Sequence, residues 1–511
     1  MELQLKKIQL PINETVIENQ AEQSVDCDIN LPDYCPNIQR ILHCEINCLL
    51  GKTFCEAQRL SIEGEVIINV IYLSDKGVIR AVEQKQNFVK NFDSKLILEN
   101  PQIQMNYKIN YVNCRAVSSR KIEVRSAILL KVKAINCGKI EAVESCEGNS
   151  LQQKKENFNL NFCNENFQHI FSVKDELDIG NKQPVSQILS ANLQAILNDY
   201  KVISGKIVAK GELKLKILYM PLSPDEKELP QELEYTLPIS QILPADSAED
   251  ENDCCVNFEL ISYELEAKPD SDAELKILEL NAQIKANIIV HKDENFSVLQ
   301  DCYSTVYPVN IEEKEFSFLN FEKCICEEHR IKEVFENKKS AQKIIYFWSK
   351  VNEENWQQDE NGILIKAQIV FSALVLDGDG NPQIWEENLN LQHKISCKNS
   401  EKLQLFNFKI KILETEALLN SLQLELRFNL QLCGILYSGK KQNLITNVTL
   451  EENLQKPVRE DCSLCIYYAE KAESVWNIAK KYNSSVEGIM QENALENDVL
   501  PQRTLLLIPL C

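Results

Sequence analysis

The fold is decided by the stretch Leu60-Ser61-Ile62-Glu63-Gly64-Glu65-Val66-Ile67-Ile68-Asn69-Val70-Ile71-Tyr72-Leu73. Alternate side chains of a β-strand share a face, and Val66, Ile68 and Val70 make one face of this stretch apolar. The opposite face mixes Asn69 with aliphatic residues. The stretch therefore predicts a strand of a sheet that is covered on one side and partly exposed to water on the other.

This stretch recurs twice further along the chain. Residues 211–220 match it at an offset of 147 residues, from Gly64 to Gly211, and residues 367–376 form a weaker third copy. A later apolar element recurs in the same way at 122–124, 278–280 and 424–426. Turn-forming residues end the three copies of the strand, at 74–77, 221–225 and 377–382.

The recurrence predicts a mainly β fold with three copies of one domain, at 28–140, 165–300 and 318–450, after an N-terminal segment at 1–27. Each copy is expected to be a β-sandwich or open barrel of about 110 to 130 residues. Helical spacing of apolar residues also predicts short helices at 185–197 and 341–351.

Composition narrows the possible functions. The 511 residues are 44% hydrophobic and 26% charged, which is typical of a folded protein of about three or four domains. The net charge of -21 argues against nucleic-acid binding, which requires a basic surface. No stretch approaches the roughly 18 apolar residues of a membrane span, and no signal-peptide pattern follows the N-terminus. We expect a cytoplasmic protein without direct membrane insertion.

The 19 cysteines do not form a recognisable framework. Their odd number and irregular spacing, in a chain this long, favour reduced and half-buried thiols over structural disulfides. Three clusters are candidate metal sites: Cys324 and Cys326 with His329, Cys462 with Cys465, and the pair Cys254-Cys255. A structural zinc site needs four ligands, and no cluster has a partner pair at a suitable distance. We predict no metal and no cofactor.

Catalytic motifs are also missing from the sequence. The histidines are dispersed over the three copies, and with only 14 glycines the chain has no phosphate-binding glycine loop. Paired carboxylates for glycoside hydrolysis stay an open alternative, because their spacing depends on the fold. The sequence predicts a protein that is not an enzyme. The five histidines are His43, His169, His291, His329 and His393.

Residues 464–511 follow a predicted linker at 451–463 and have a pattern of their own. Ser474 is a plausible N-cap of a helix, Ser484 and Glu487 suggest a capping box for a second helix ending near Asn493, and residues 504–509 would pair with 466–470. With the motifs at 467–469, 474–482 and 505–509, this segment resembles a LysM module, a small strand-helix-helix-strand unit. The resemblance implies binding of N-acetylated glycans.

The first copy opens at 28–42 with Asp28-Ile29-Asn30-Leu31-Pro32-Asp33-Tyr34-Cys35-Pro36-Asn37-Ile38-Gln39-Arg40-Ile41-Leu42. The two prolines predict a turn, and the residues after them one helical turn, which would fix how the chain meets its sheet. The less favoured alternative is a partner surface around Tyr34. Together with the Gly-Glu pair and Tyr72, this motif resembles the SPOCS domain of endospore-forming Firmicutes.

SPOCS repeats ahead of a LysM module resemble the SipL-like family of clostridial spore-morphogenesis proteins. The resemblance implies a non-enzymatic adaptor of the mother-cell cytoplasm that is recruited to the forespore surface during spore coat assembly. Its implied partner is a SpoIVA-like ATPase of the coat basement layer, with further coat proteins as additional partners.

Two sets of residues in the LysM-like segment separate glycan binding from protein binding. Glycan-binding modules carry glycines in two loops, where this chain has Ala472-Glu473-Ser474 and Pro501-Gln502, so we favour a protein partner and keep peptidoglycan as the alternative. Trp476 is either a core residue or an exposed anchor for the partner. The apolar residues proposed to surround it are Leu464, Ile466, Tyr467 and Tyr468.

Overall fold

The computed structural model describes residues 3–98, 100–148, 150–222, 229–397, 402–457 and 463–509. Its first six strands form a sandwich that we call unit 1, made of two antiparallel three-stranded sheets in the orders β1-β6-β5 and β2-β3-β4. Val25, Val70 and Ile128 are completely buried between the two sheets. The strands are β1 Gln4–Asn30, β2 Ile38–Glu56, β3 Arg59–Ser74, β4 Ile79–Asp93, β5 Gln102–Ser118 and β6 Lys121–Glu147.

The same arrangement occurs twice more, in the sheet orders β7-β12-β11 with β8-β9-β10, and β13-β18-β17 with β14-β15-β16. Unit 2 contains β7 Leu151–Asp178, β8 Val185–Ile203, β9 Lys206–Pro221, β10 Gln231–Pro244, β11 Cys254–Pro269 and β12 Leu275–Ser304. Unit 3 contains β13 Val309–Glu336, β14 Lys343–Asp359, β15 Gly362–Leu376, β16 Pro382–Ser396, β17 Lys402–Leu419 and β18 Gln423–Leu450. The prediction of a mainly β fold is confirmed, and none of the described sheets closes into a barrel.

The helices predicted at 185–197 and 341–351 are wrong, since β8 and β14 occupy these positions. The physical reason is a series of bulges: the register of β8 on β9 shifts after Val185, after Ile188 and again after Leu197. Each bulge inserts a residue and resets the alternation of faces, so that apolar residues recur at nearly helical spacing. In β2, shifts after Ile38 and Ile41 likewise replace the predicted helical turn by a strand.

The partly exposed face predicted for the middle strands is confirmed in the first half of each strand, where Glu63, Lys214 and Lys366 stay accessible, but the second half is buried. Ile71 of β3, Leu218 of β9 and Leu374 of β15 point away from their own sandwich cores and meet in one buried cluster with Tyr346 and Trp348. In its second half, each middle strand therefore buries both faces, one in the core of its own unit and one against the other two units. The alternation pattern within one strand carries no information on packing between units, so the sequence did not predict this contact.

Two residues of the recurring stretch have clear structural roles. The hydroxyl of Tyr72 lies 3.5 Å from the carbonyl oxygen of Pro36, and that of Tyr219 donates to the carbonyl of Gln183 at 3.3 Å, so each tyrosine ties its strand to the turn that opens the unit. A Cβ at Gly211 would lie 2.2 Å from the carbonyl oxygen of Ile196, which only glycine avoids.

The outermost strands extend well beyond the sandwiches. β1 begins at Gln4 and so includes most of the predicted N-terminal segment, and its first half pairs only with the end of β6. The equivalent ribbons of units 2 and 3 lie beside it, and Val143, Leu299 and Ile445 pack together where the three ribbons meet. The units thus share a bundle of three two-stranded ribbons at one end.

After unit 3 the chain forms a small strand-helix-helix-strand unit, here called the C-terminal module (residues 464–509). Its elements are β19 Leu464–Ala469, α1 Val475–Tyr482, α2 Val486–Glu492 and β20 Thr504–Pro509, with β19 antiparallel to β20. The predicted order of elements is found at the predicted positions. Among the described residues, no helix has the length and apolar character needed to span a membrane.

Candidate functional site

The helices of the C-terminal module begin differently from the prediction. Ser474 occupies the N-cap position of α1, but the carboxylate of Asp498 does the capping by accepting from the Trp476 backbone N–H and the Ser474 hydroxyl, each at 2.9 Å. The N-cap of α2 is Ser485, which accepts from Gly488 N–H at 3.0 Å, whereas Ser484 was predicted. Capping by a residue distant in sequence leaves no local motif to recognise.

One side of the module is docked against unit 2. The indole N–H of Trp476 donates to Asp301 Oδ2 at 2.8 Å, and the Lys480 ammonium pairs with Asp301 Oδ1 at 2.7 Å. Tyr303 packs edge-on against the indole at 5.1 Å and donates its hydroxyl proton to the Ser484 carbonyl at 2.7 Å. We call this side, formed by Trp476, Lys480 and Ser484, the docked face.

Docking settles the position of Trp476. Its side chain is only 6% exposed, because Tyr303 and Asp301 at the end of β12 cover it. The exposed-anchor alternative is thus corrected: Trp476 belongs to the contact between the module and unit 2. The local sequence does not predict this contact, because Asp301 lies 175 residues from Trp476 in the chain.

The opposite side of the module is an apolar sheet surface. Tyr468 pairs with Leu505 and Ile466 with Leu507 across β19 and β20, so these side chains share one face with Leu464. Tyr468 is 76% exposed, Ile466 60%, and Leu464 and Leu505 47% each. We call the surface formed by Leu464, Ile466, Tyr468, Leu505 and Leu507 the outer face.

The structure brings together three of the five residues predicted to bind a partner. Leu464, Ile466 and Tyr468 lie on the outer face, whereas Tyr467 points to the other side of the sheet and packs edge-on against Tyr482. The hydroxyl of Tyr467 donates to Glu473 at 2.7 Å, and this hydrogen bond raises the pKa of Tyr467 to about 12.

Sequence reasoning missed Leu505 and Leu507. A terminal strand that covers two helices needs apolar residues on one face only, yet residues 505–508 are apolar on both. These additional apolar residues were the sequence signal that could have predicted a second apolar surface.

The two loops expected to bind glycan are tied to each other. Ala472 N–H donates to the Leu500 carbonyl at 2.8 Å, and Leu500 N–H donates to the Glu473 carbonyl at 3.0 Å. Ala472 has a φ of 67°, the left-handed conformation that favours glycine. The loop thus keeps a glycine-type backbone while carrying a Cβ. Pro501 and Gln502 are exposed beside it.

The cysteine clusters give no metal centre among the described residues, in which no group of three or more candidate ligands is close enough to hold an ion. Cys255 and Cys324 form a disulfide between units 2 and 3, which corrects the expectation of reduced thiols for this pair, whereas the other described cysteines are free. The two residues are brought together by the packing of the units, which sequence spacing does not encode. Cys462 lies outside the described residues, and Cys465 is half-buried.

Comparison with known proteins bears on unit 2. Residues 184–268 match the family model described as SipL, SPOCS domain, and this segment runs from the start of β8 to the end of β11. Neither the comparison with curated proteins nor the comparison with solved structures gives a match. The segment includes Gly211 and Tyr219, which correspond in the second copy to Gly64 and Tyr72 of the first. The part of unit 2 from β8 to β11 is thus similar to the SipL SPOCS domain, which supports a sporulation-related role for the chain.

Proposed function

We propose that the protein is a non-enzymatic adaptor in endospore coat assembly, and that the C-terminal module is a LysM fold that binds a SpoIVA-like coat-basement ATPase. The observation that carries the proposal is the outer face. Its partner would be a protein surface with an apolar groove, and binding would recruit the adaptor from the mother-cell cytoplasm to the forespore surface. Units 1 and 3 are proposed to be SPOCS domains like unit 2.

The chemistry of the outer face supports a protein partner. Exposed apolar side chains that lie side by side mark interaction surfaces, whereas isolated ones are common on any protein. An aromatic residue with few rotatable bonds provides large contact area at low entropic loss, which makes Tyr468 the expected centre of the interface. Glu470 and Arg503 pair at 2.6 Å just outside the ends of β19 and β20, near Tyr468, and would form a polar rim.

The same module offers little to a glycan. Binding of an acetamido group requires free backbone amides close to the sugar, and the amides of Ala472 and Leu500 already donate within the protein. The Glu473 carboxylate is also occupied, by the Tyr467 hydroxyl and the Glu470 N–H. Peptidoglycan binding through Ala472, Glu473, Ser474, Pro501 and Gln502 therefore stays the second candidate.

A co-sedimentation assay separates the two candidates. The full chain is mixed with filaments of the SpoIVA-like ATPase from the same genome and, in parallel, with insoluble peptidoglycan. We expect sedimentation with the filaments only, and Tyr468→Glu should weaken it by about 100-fold, the loss of one interface hot spot.

The matched control is Leu422→Glu, at a residue of unit 3 whose exposure, 76%, equals that of Tyr468. It should bind like the unchanged protein. Sedimentation with peptidoglycan and no retention by the ATPase would overturn the proposal.

A further inference from the structure

A cavity of about 300 Å³ lies where the three units meet. Its wall includes residues of β2 and β5 from unit 1, of β7, β8, β11 and β12 from unit 2, and of β14 and β17 from unit 3. No residue of the C-terminal module contributes to it. Its wall carries a charged cluster, here called the cavity cluster, of Glu259, Lys285, Glu354, Lys409 and Lys411.

A bulge in β17 turns two of these lysines toward the cavity. Leu405 and Ile410 both lie in the sandwich core of unit 3, although an odd spacing would place them on opposite faces of a regular strand. The register shift between Phe406 and Lys409 resolves the conflict. Lys409 and Lys411 consequently lie on the other face, which borders the cavity.

Glu259 is the central anion of the cavity cluster. Its carboxylate lies 3.2 Å from the Lys285 ammonium and also pairs with Lys409. Burial opposes ionisation of Glu259, but the two ammoniums outweigh it and hold the pKa of this carboxyl well below its usual range. Lys285 itself is only 1% exposed, so this charge is built into the interior.

The remaining charges do not balance. Among the described residues, Lys411 donates to neutral groups only, Asn257 Oδ1 at 2.9 Å and the carbonyls of Phe258 and Ala195 at 3.0 and 3.3 Å. Burial raises the pKa of Glu354 to about 7, so this carboxyl is only partly ionised at neutral pH. Burial likewise lowers the pKa of Lys411, a shift that an anion in the cavity would oppose. The cavity cluster thus places three lysines around one well-ionised carboxylate, that of Glu259. Buried charge without a partner is strongly destabilising.

Glu353, a further acid on the wall, does not change this balance. Its carboxylate pairs with Lys108 at 3.1 Å, which neutralises it from outside the cavity cluster.

Lys409 also has unused hydrogen-bonding capacity. An ammonium has three donors, and among the described residues Lys409 donates only to Glu259. A third of its side-chain surface, 33%, stays accessible where the residue lines the cavity. The side-chain amides of Asn287 and Asn407 lie on the same wall and can also donate.

We propose that this cavity binds a small oxyanion, a carboxylate or a phosphate compound, between the ammoniums of Lys285, Lys409 and Lys411. The volume lies at the lower end of the range for ligand sites, which restricts the ligand to a small molecule. The anion supplies the charge that the protein leaves unbalanced and joins the three units at their junction. The site is independent of the outer face and of the adaptor role.

Isothermal titration calorimetry of the full chain at constant ionic strength tests the proposal, with inorganic phosphate and citrate as separate probes. We expect saturable binding of at least one probe, and the stronger of the two identifies the source of the ligand. Lys409→Met should weaken it by about tenfold or more, since it removes a charge at nearly constant volume. Lys332→Met, which removes a surface lysine paired with Glu425 at 2.9 Å, is the matched control and should leave binding unchanged.

A second variant guards against a folding defect. At about pH 8, above the pKa of Glu354, Glu354→Gln removes a negative charge beside the ligand and should strengthen binding by about threefold to tenfold. A misfolded protein would not bind more tightly. Absence of saturable binding of both probes, or equal affinity in Lys409→Met and Lys332→Met, would overturn the proposal.

Discussion

The C-terminal module has two contrasting surfaces, one buried against unit 2 and one exposed. The docked face buries Trp476 against Tyr303 and places a shared carboxylate, Asp301, between two donors. The outer face has a comparable aromatic residue, Tyr468, but the described chain leaves it 76% exposed. Both lie on one small fold, so the fold alone does not decide which surface meets a partner.

What distinguishes the two surfaces is polar complementarity within the chain. Every polar atom at the docked face that we describe has a partner: the indole N–H, the Lys480 ammonium and the Tyr303 hydroxyl all donate to unit 2 or to the module. A contact of this kind is built for one neighbour. The outer face presents only apolar groups and one phenol, which suits a second, separate protein.

The largest effect is expected from Trp476→Ala. Truncating a buried tryptophan removes its packing and its hydrogen bond to Asp301, and should lower the opening free energy of the module by about 3 to 5 kcal/mol. Native-state hydrogen exchange of the α1 amides measures this directly. Leu464→Ala on the outer face should change it by about 0.5 kcal/mol or less. Equal losses in the two variants would break the distinction between the faces.

Acid should lower the unfolding free energy of the three units more than that of the module, because all five histidines precede residue 464. His291 is completely buried, with Nε2 2.8 Å from the Tyr437 hydroxyl, and burial lowers its pKa to about 4. A histidine with a lowered folded pKa contributes stability that is complete above its unfolded pKa of about 6.5 and is lost as pH falls toward the folded value.

Between pH 6.5 and 5, His291 should therefore account for a loss of up to about 2 kcal/mol in the unfolding free energy of the three units. Denaturation followed at both pH values, in the unchanged protein and in His291→Gln, measures its share. The variant should lose less stability on acidification. An identical loss in both proteins would assign the acid sensitivity to other groups.

A smaller effect is expected from Asp301→Asn. The amide keeps an acceptor for Trp476 but loses the charge that Lys480 pairs with, so the docked face should weaken by about 1 to 2 kcal/mol. Asp93→Asn, which breaks the well-exposed pair with Arg59, should change stability by about 0.5 kcal/mol or less. The difference between the two variants, read from protease cleavage between unit 3 and the module, should shrink at high salt.

The smallest effect on stability is expected from a substitution in the loop that contains Ala472. Ala472→Gly relieves a left-handed backbone and should stabilise the module by up to about 1 kcal/mol. The variant should still fail to sediment with peptidoglycan, because the loop amides stay engaged with each other. Glycan binding by this variant would show that a single Cβ had closed the groove.

The recurring stretch predicted the middle strand of each unit, because one apolar face repeats there at the same offset. It did not predict β8 or β14, where bulges imitate helical spacing, and these bulges are visible only once pairing with the neighbouring strand is known. The order of elements in the module followed from its local motifs. The docked face could not be predicted from local motifs, since Asp301 and Tyr303 lie far from Trp476 in the chain. The cavity cluster could not be predicted either, because its residues come from four separate strands.

Site-specific photocrosslinking tests the central claim most directly. A benzophenone side chain is placed at Tyr468 on the outer face or at Tyr34, which is 86% exposed in the turn between β1 and β2, and the full chain is irradiated with the SpoIVA-like ATPase. We predict a crosslinked complex from position 468 and none from position 34. A complex from position 34 alone would contradict binding through the outer face and place the partner surface at the turn that opens unit 1.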